Sequence, residues 1–256
     1  MSNRIISIWG DPFSGKTTLS VKLAKELSTK KKNVIILFPD LFCPTMNIIL
    51  PGHAEKKSLG NILSSTIIDE DVILKNSIYL EKNDYISLLG YRERENITTY
   101  PEYGENKVKD LIRNLLQITD YIIIDCSSHF VVDLISSISL EISDIVIRLM
   151  TPTLKSISYF ESNTPLLIDK RFNFEKHIKV LSNFKSDDSI EIVKDRYDIK
   201  YELPYNDELR TQMMGGELFY NLKSKKSYLY NDTVRKLTSV ILNENKEVKG
   251  FKLWRK

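Results

Sequence analysis

The sequence predicts an α/β fold in which a doubly wound, mostly parallel central sheet is flanked by helices. Short runs of β-branched residues alternate with segments of helical periodicity along the 256 residues, as expected for parallel strands joined by right-handed crossovers. A glycine-rich turn directly follows the first apolar run, and open α/β sheets bind ligands at that edge. Because 42% of the residues are apolar, the chain can bury one large core.

Seven short apolar runs are predicted to be strands, and we expect the sheet that they form to be central and buried. The predicted strands are Ile5 to Trp9, Val34 to Phe38, Tyr85 to Leu89, Tyr121 to Asp125, Ile145 to Leu149, His177 to Asn183 and Ile199 to Leu203.

Helical periodicity is clearest in three segments, which are Thr17 to Leu27, Val108 to Leu115 and Tyr230 to Ile241. Residues 51–80 and 91–104 contain turn residues and weak patterns. We predict that these two regions form loops and short helices over the edge of the sheet that binds ligand.

Residues 10–17 read Gly-Asp-Pro-Phe-Ser-Gly-Lys-Thr and match the phosphate-binding pattern Gly-x-x-x-x-Gly-Lys-Ser/Thr. The backbone N–H groups of such a loop surround phosphate oxygens, Lys16 places a positive charge on the β- and γ-phosphates, and the Thr17 hydroxyl can hold Mg²⁺. We therefore predict a nucleotide-binding protein. The residues predicted to surround the phosphates are Gly10, Asp11, Pro12, Phe13, Ser14, Gly15, Lys16, Thr17 and Thr18.

Two acidic residues are predicted to lie at the same edge of the sheet. Asp125 ends the apolar strand that begins at Tyr121, and it can bind Mg²⁺ directly or through water. Asp40 follows the second strand and can orient the attacking water or contact magnesium-bound water. Each also has a structural explanation, because many buried strands end in Asp and Asp40 suits a turn after Pro39.

Composition and charge narrow the class of protein. Cys43 and Cys126 are far apart in sequence, which indicates neither a disulfide framework nor a zinc site and fits a reducing cytoplasm. The first residues lack a signal-peptide pattern, and no apolar run has the length needed to span a bilayer. Residues 221–256 hold ten Lys/Arg against three Asp/Glu. That segment is either a solvated helix and tail or a contact for nucleic acid or anionic lipid.

The motifs resemble those of the ParA/MinD family of P-loop ATPases, and they follow one another in the family's order over nearly the whole chain. Lys16-Thr17-Thr18 resembles the end of the family's phosphate-binding loop. Asp40 followed by Pro44 and Asn47 resembles its switch I stretch, and Tyr121 to Asp125 resembles its switch II strand. Further similar segments are Ser143 to Ile147, Thr151-Pro152 with Lys155-Ser156-Ile157, Val180 to Asn183, Leu203 to Asp207 and Gly215 to Glu217.

The resemblance implies a site for ATP or ADP with Mg²⁺. It implies that Lys16, Asp40 and Asp125 are the catalytic residues and that Thr17, Asp125 and Asp40 handle the metal. Adenine contacts are implied for Asn183, Pro204, Tyr205 and Asn206. The family also implies a nucleotide-linked homodimer and a protein partner from a larger assembly.

Two positions depart from the family's pattern. Asp11 stands where the family has a signature lysine that reaches the nucleotide of the other subunit, and Phe38 stands where many relatives have Asp. A cation on the transferring phosphate is worth about 10³ to 10⁵ in rate. We therefore expect slow hydrolysis, or binding without turnover as in a pseudo-ATPase scaffold. Loss of the lysine resembles the TadZ/CpaE branch, which helps place pilus or secretion machinery at the cell membrane.

We predict a nucleotide-binding domain over residues 1–245 and a basic, aromatic tail over residues 246–256. The tail resembles the segment by which MinD relatives bind anionic membrane, here through Lys249, Phe251, Lys252, Trp254 and Arg255. The function that these patterns favour is an ATP-dependent switch that positions a pilus, secretion or division assembly, in the cytoplasm or at the inner face of the cell membrane. The alternatives are a DNA-segregation ATPase that binds DNA non-specifically and a metabolic P-loop enzyme such as a small-molecule kinase.

Overall fold

The centre of the fold is an eight-stranded sheet, as seen in a computed structural model that describes residues 4–52 and 56–243. The strand order across the sheet is β3-β4-β2-β5-β1-β6-β7-β8. Neighbouring strands are parallel except for β3, which is antiparallel to β4. The predicted fold class is confirmed. The strands are β1 (Ile5–Gly10), β2 (Val34–Phe38), β3 (Ile78–Leu80), β4 (Asn83–Gly90), β5 (Tyr121–Asp125), β6 (Ile145–Met150), β7 (His177–Phe184) and β8 (Tyr201–Pro204).

Helices connect the strands, and none of the described helices is both long enough and apolar enough to cross a membrane. Short 3₁₀ turns lie at 164–167, 170–172, 174–176 and 225–227. The α-helices are α1 (Lys16–Thr29), α2 (Met46–Ile49), α3 (Leu59–Ser64), α4 (Glu70–Asn76), α5 (Glu105–Ile118), α6 (Leu134–Ile142), α7 (Leu154–Asn163), α8 (Glu191–Tyr197), α9 (Asp207–Met214) and α10 (Tyr228–Ile241).

All seven predicted strands are present, but the sequence patterns did not indicate β3. The prediction of only loops and short helices for residues 51–80 is therefore wrong at Ile78–Leu80. This strand pairs with β4 at the edge of the sheet, with a register shift between Tyr79 and Leu80. Three residues are too few to show the alternation by which a strand is recognised in a sequence.

The register of β1 with its neighbours determines where the phosphate-binding loop lies. Ile8 pairs with Asp125 of β5, and Gly10 pairs with Leu149 of β6. Because these strands are parallel, their carboxyl ends lie at one edge of the sheet. The loop after β1, the segment after Asp125 and the segment after β6 therefore come together at that edge.

The two faces of the sheet bury separate hydrophobic clusters. In β1, Ile6 and Ile8 join a cluster that includes apolar side chains of α1 and α10. Ile5 and Trp9 join a second cluster that includes side chains of α5 and α6. This period of two is that of a strand covered on both faces, so the helices on the two faces hold the sheet between them.

One buried charge on α1 connects that helix to the end of α9 and to the segment after it. The Lys22 amine donates hydrogen bonds to Gln212 Oε1 (2.7 Å), the Leu218 carbonyl (2.6 Å) and the Tyr220 carbonyl (2.8 Å). Burial lowers the pKa of Lys22 to about 7, while three acceptors favour the charged ammonium form. Lys22 is thus a structural cross-link with its hydrogen-bonding capacity filled.

Substitution of this lysine tests the cross-link. Lys22→Met keeps much of the side-chain volume but leaves three buried acceptors without their donor, so we expect the free energy of unfolding to fall by about 2 to 4 kcal/mol. Urea unfolding monitored by circular dichroism gives this value. Lys30→Met, at an exposed lysine just after the same helix, is the control and should change stability by less than about 0.5 kcal/mol. Equal effects of the two substitutions would contradict the assignment.

Candidate nucleotide-binding site

Two glycines determine the shape of the phosphate-binding loop. A Cβ atom at Gly10 would lie 2.2 Å from the carbonyl oxygen of Leu149, so only glycine allows β1 and β6 to approach this closely. Gly15 has a φ of 87°, in the left-handed region that favours glycine. It is the N-cap of α1, whose first N–H groups have no partner within the helix. The local sequence therefore places unpaired donors at the helix N-terminus.

The Lys16 amine is held at the base of this loop. It donates hydrogen bonds to the carbonyl oxygens of Gly10 (3.3 Å) and Asp11 (3.1 Å) and to Ser128 Oγ (2.6 Å). Burial lowers the pKa of Lys16, and the nearby carboxylates of Asp125 and Asp11 oppose that shift. The site thus contains a desolvated cation next to the helix N-terminus, which attracts anions.

Asp125 and Thr17 form a second part of the site. Thr17 Oγ1 donates a hydrogen bond of 2.6 Å to Asp125 Oδ2. The other carboxylate oxygen, Asp125 Oδ1, is buried and has no hydrogen-bond partner among the described residues. Burial raises the pKa of Asp125 to about 6, against the effects of the Thr17 hydrogen bond and the Lys16 charge. A buried acceptor without a partner is costly, so this oxygen is a candidate ligand for a cation or for a hydrogen-bond donor.

A cavity of about 740 Å³ opens beside these groups. Its size lies within the range of about 300 to 1,000 Å³ that is usual for small-molecule sites. The structure brings most of the residues predicted from the sequence to its walls, and those residues are Pro12, Phe13, Gly15, Lys16, Thr17, Thr18, Asp40, Asp125, Asn183, Pro204, Tyr205 and Asn206.

Three of the predicted loop residues do not line this cavity. Gly10 lies in the sheet, and Ser14 is buried, with its hydroxyl donating to the Asp11 carbonyl at 2.8 Å. The Asp11 carboxylate turns away from the cavity and accepts hydrogen bonds from Thr151 and Ser156. Burial raises the pKa of Asp11, and the hydrogen bonds from Ser156 and Thr151 oppose this.

Asp40 and Asn206 have structural partners in addition to their places on the cavity wall. Asp40 Oδ1 accepts hydrogen bonds from the backbone N–H groups of Phe42 and Cys43, both at 3.0 Å, as in an Asx turn. Asn206 caps α9 by accepting from the Leu209 N–H, and its amide also donates to Ser227. The Asn206 side chain is therefore already engaged.

At the carboxyl end of β7 and β8, the cavity is lined by Asn183, Pro204 and Tyr205. Asn183 is exposed, has a positive φ of 56°, and its side-chain amide donates to the Phe13 carbonyl at 3.4 Å. Lys185 lies over the Tyr205 ring, with the amine 5.0 Å from the ring centroid. This end combines an amide, a proline and an aromatic ring, which can contact a flat heterocycle.

Ser128 belongs to the site although the sequence motifs did not indicate it. Its hydroxyl accepts a hydrogen bond from Lys16, and its carbonyl accepts one from the Tyr159 hydroxyl at 2.5 Å. The available signal was its position three residues after Asp125, in the loop at the carboxyl end of β5.

The sheet order, the helices and this loop define a P-loop protein with the MinD/ParA fold. The sequence matches no protein-family model and no curated protein. The structure is similar to that of a ParA family ATPase from Chlorobium tepidum, with a TM-score of 0.75 and 17% identity over 93% of this chain and 99% of that one. It is also similar to the cell division ATPase MinD of Pyrococcus furiosus, with a TM-score of 0.73 and 17% identity over the same shares of the two chains.

A third similar structure is the septum site-determining protein MinD of Pyrococcus horikoshii, which was solved as a complex with Mg-ADP. Its TM-score is 0.69, with 19% identity over 98% of this chain and 99% of that one. At such identities the likeness establishes the fold, and it confirms the resemblance to the ParA/MinD family at that level. The assignment to the TadZ/CpaE branch stays a prediction.

The raised pKa of Asp125 predicts a pH-dependent effect on stability. As pH rises from about 4 to 6, this carboxyl ionises in the unfolded chain before it does so in the folded one, so the folded state loses stability. We expect Asp125→Asn to raise the free energy of unfolding of the nucleotide-free protein by about 1 to 3 kcal/mol near pH 7.5 and to have little effect near pH 4. Thermal unfolding at the two pH values measures this.

Asp40→Asn is the matched control, because asparagine forms the same Asx turn. Because the Asp40 charge also raises the pKa of Asp125, this control should stabilise the protein near neutral pH by less than Asp125→Asn does, and it should not do so near pH 4. If Asp125→Asn were less stable than the unaltered protein near neutral pH, burial would not destabilise the ionised Asp125 carboxylate.

Proposed function

We propose that the chain is an ATP-binding switch of the MinD/ParA type that hydrolyses ATP slowly. One observation carries the proposal: the Lys16 amine, the Thr17 hydroxyl and the Asp125 carboxylate converge beside a cavity of about 740 Å³ at the carboxyl edge of the sheet. A desolvated cation, a helix N-terminus and a carboxylate next to a hydroxyl are the groups that bind phosphates together with a divalent cation.

The residues present fit Mg²⁺, which prefers oxygen ligands and keeps several waters. Thr17 Oγ1 and Asp125 Oδ1 would hold the ion or its waters, because Oδ1 is buried without a partner in the described part of the chain. Within those same ranges, no group of three or more His, Cys, Asp and Glu residues could hold a metal alone. When bound, Mg²⁺ would supply positive charge that neutralises the phosphates.

The chain's own groups bind the remainder of the nucleotide. The N–H groups of the first turn of α1 and the Lys16 amine bind phosphate oxygens, while Asn183, Pro204 and Tyr205 contact adenine from the cavity wall. An asparagine amide can donate and accept at once, as the edge of adenine requires. Asn206 lines the cavity next to these residues, but its side-chain oxygen caps α9 and is not free to bind adenine.

Hydrolysis requires a positioned water, and Asp40 is the carboxylate on the cavity wall that we assign to it. We expect turnover to be slow, because Asp11 replaces the family's lysine and its carboxylate faces the protein interior. Without a cation from a second copy on the transferring phosphate, the rate falls by about 10³ to 10⁵. Binding without turnover would make the chain a pseudo-ATPase scaffold, which the experiment below distinguishes.

A nucleotide-linked homodimer is supported by the edge of the sheet where the cavity opens. Phe13, Leu154 and Met214 are 90%, 85% and 80% exposed there and near it, so a second copy placed against this edge would bury them. Such a dimer would serve as the switch that places a pilus, secretion or division assembly. The similar structures are themselves named for cell division and for the ParA family.

The proposal is tested by light scattering of the protein with ADP-Mg²⁺ and with ATP-Mg²⁺, with phosphate release measured in the same samples. We expect a dimer with ATP, a monomer with ADP and release well below about 1 s⁻¹. Lys16→Ala should abolish nucleotide binding, because no other amine compensates the phosphate charge in the loop.

Each alternative gives a distinct result. A size that does not change with nucleotide, together with binding but no release, would favour the pseudo-ATPase scaffold. No binding of either nucleotide would refute the proposed function. Consumption of ATP only with a small-molecule acceptor would favour a metabolic kinase.

Non-specific DNA binding is a second candidate function, and one surface favours it. The segment directly after α1 carries exposed basic side chains, as do α10, which packs against α1, and the segment between α9 and α10. Basic surfaces of this kind bind DNA phosphates without reading the bases. The exposed basic residues of this surface are Lys30, Lys31, Lys223, Lys225, Lys226, Arg235 and Lys236.

We also propose that the chain binds anionic membrane through its C-terminal tail. The residues concerned, Lys249, Phe251, Lys252, Trp254 and Arg255, lie outside the described residues. Basic residues near an anionic surface contribute about 1 kcal/mol each, so we expect the full chain to float with phosphatidylglycerol vesicles in ATP and not with phosphatidylcholine vesicles. Removal of residues 246–256 should abolish flotation and leave ADP binding unchanged.

DNA binding predicts a different outcome from the same proteins. Affinity for duplex DNA would fall by about 0.9 log units per phosphate contact for each decade of salt. Lys225→Glu with Lys226→Glu would weaken it, and removal of the tail would not abolish it. Steep salt dependence without flotation would overturn the membrane proposal in favour of DNA.

A further inference from the structure

The Asp11 side chain makes all of its side-chain hydrogen bonds outside the phosphate-binding loop. It is 5% exposed. Its Oδ2 accepts a hydrogen bond from Thr151 Oγ1 at 3.1 Å, and its Oδ1 accepts one from Ser156 Oγ at 2.9 Å. Thr151 follows β6 and Ser156 is in the first turn of α7. Both carboxylate oxygens therefore face the start of α7 and not the cavity.

The segment that receives Asp11 is itself well ordered by hydrogen bonds. Thr153 caps α7 by accepting from the Ser156 N–H at 3.1 Å, and Ser156 Oγ accepts from the Thr151 N–H at 3.1 Å. Ser156 Oγ thus uses its acceptor on the backbone and its proton on Asp11. The Asp11 carboxylate is therefore bonded to two hydroxyl groups that are held in place at the N-terminus of α7.

A second connection joins α7 to the same site. The Tyr159 hydroxyl donates to the Ser128 carbonyl at 2.5 Å and accepts from Trp9 Nε1 at 2.9 Å. Ser128 Oγ in turn accepts from the Lys16 amine, which also donates to the Asp11 carbonyl. The Lys16 amine therefore lies between two segments that are each bonded to α7.

We propose that Asp11 is a positioning residue for nucleotide binding: through Thr151 and Ser156 it fixes the phosphate-binding loop to the start of α7, and it does not touch the nucleotide itself. This inference rests on the proposed function, because the effect that it predicts is on nucleotide affinity. A carboxylate aimed at the phosphates would repel them, whereas one turned into a pair of hydroxyl donors holds the loop without placing its charge on the ligand.

A matched pair of substitutions at Thr151 separates this hydrogen bond from packing. Thr151→Val keeps the volume and removes the hydroxyl, whereas Thr151→Ser keeps the hydroxyl and removes the methyl group. We expect Thr151→Val to weaken ADP-Mg²⁺ binding about tenfold and Thr151→Ser by less than about twofold, as measured by titration calorimetry. If Thr151 acted only in packing, the order of the two variants would be reversed.

A double-mutant cycle shows whether Asp11 acts through Thr151. Asp11→Asn alone should also weaken ADP binding about tenfold, and the combination with Thr151→Val should be no weaker than the worse single variant. Additive effects would mean that Asp11 contacts the nucleotide independently and would overturn the inference. If Asp11→Asn does not fold, Ser156→Ala takes its place in the cycle with Thr151→Val. The coupling should then have the same sign and a smaller size.

The melting temperature without nucleotide completes the test. A lower melting temperature with unchanged ADP affinity in Asp11→Asn would make Asp11 purely structural and would refute the inference while leaving the proposed function intact. Failure of the unaltered protein to bind ADP would refute the proposed function, and the inference with it.

Discussion

The contact between Gly10 and the carbonyl oxygen of Leu149 is the constraint on which the rest of the site depends. It allows β1 and β6 to lie close enough for the chain to turn at their shared edge, because any Cβ atom would overlap the carbonyl. From that turn, Gly15 starts α1 in the left-handed conformation and Lys16 follows at once. The register of β5 brings Asp125 beside it. One steric requirement therefore aligns a cation, a helix N-terminus and a carboxylate.

Two lysines whose pKa values are lowered by burial show how a structural charge differs from one that we propose to bind a ligand. Lys22 has three acceptors, one at the end of α9 and two in the segment that follows it, so the hydrogen bonds of its amine are filled. Lys16 also has three acceptors, but the carboxylate beside it keeps one buried oxygen unpaired. Since a buried polar atom without a partner destabilises the fold, the unpaired oxygen of Asp125 supports the proposal that this site binds a ligand.

Local patterns in the sequence were sufficient for the fold and for the centre of the site. Buried parallel strands give continuous apolar runs, and the phosphate-binding loop has a fixed spacing, so both could be predicted. The edge strand at Ile78–Leu80 could not, because three residues show no pattern. The direction of the Asp11 side chain could not be predicted either, since its partners Thr151 and Ser156 lie about 140 residues further along the chain. Contacts of that kind depend on the strand order, which only the tertiary structure gives.

The unusual composition of the loop follows from these distant contacts. Pro12 offers no N–H group, and Phe13 has a φ of 66°, which costs a non-glycine residue about 1 to 3 kcal/mol. Such a conformation persists only where the surroundings determine it. Here the loop is bonded on one side to the start of α7 through Asp11, and on the other to β7, where Ser182 donates to the Ser14 carbonyl and Asn183 to that of Phe13. The loop can therefore contain Asp11, Pro12 and Phe13 and still keep the shape that holds Lys16 at its base.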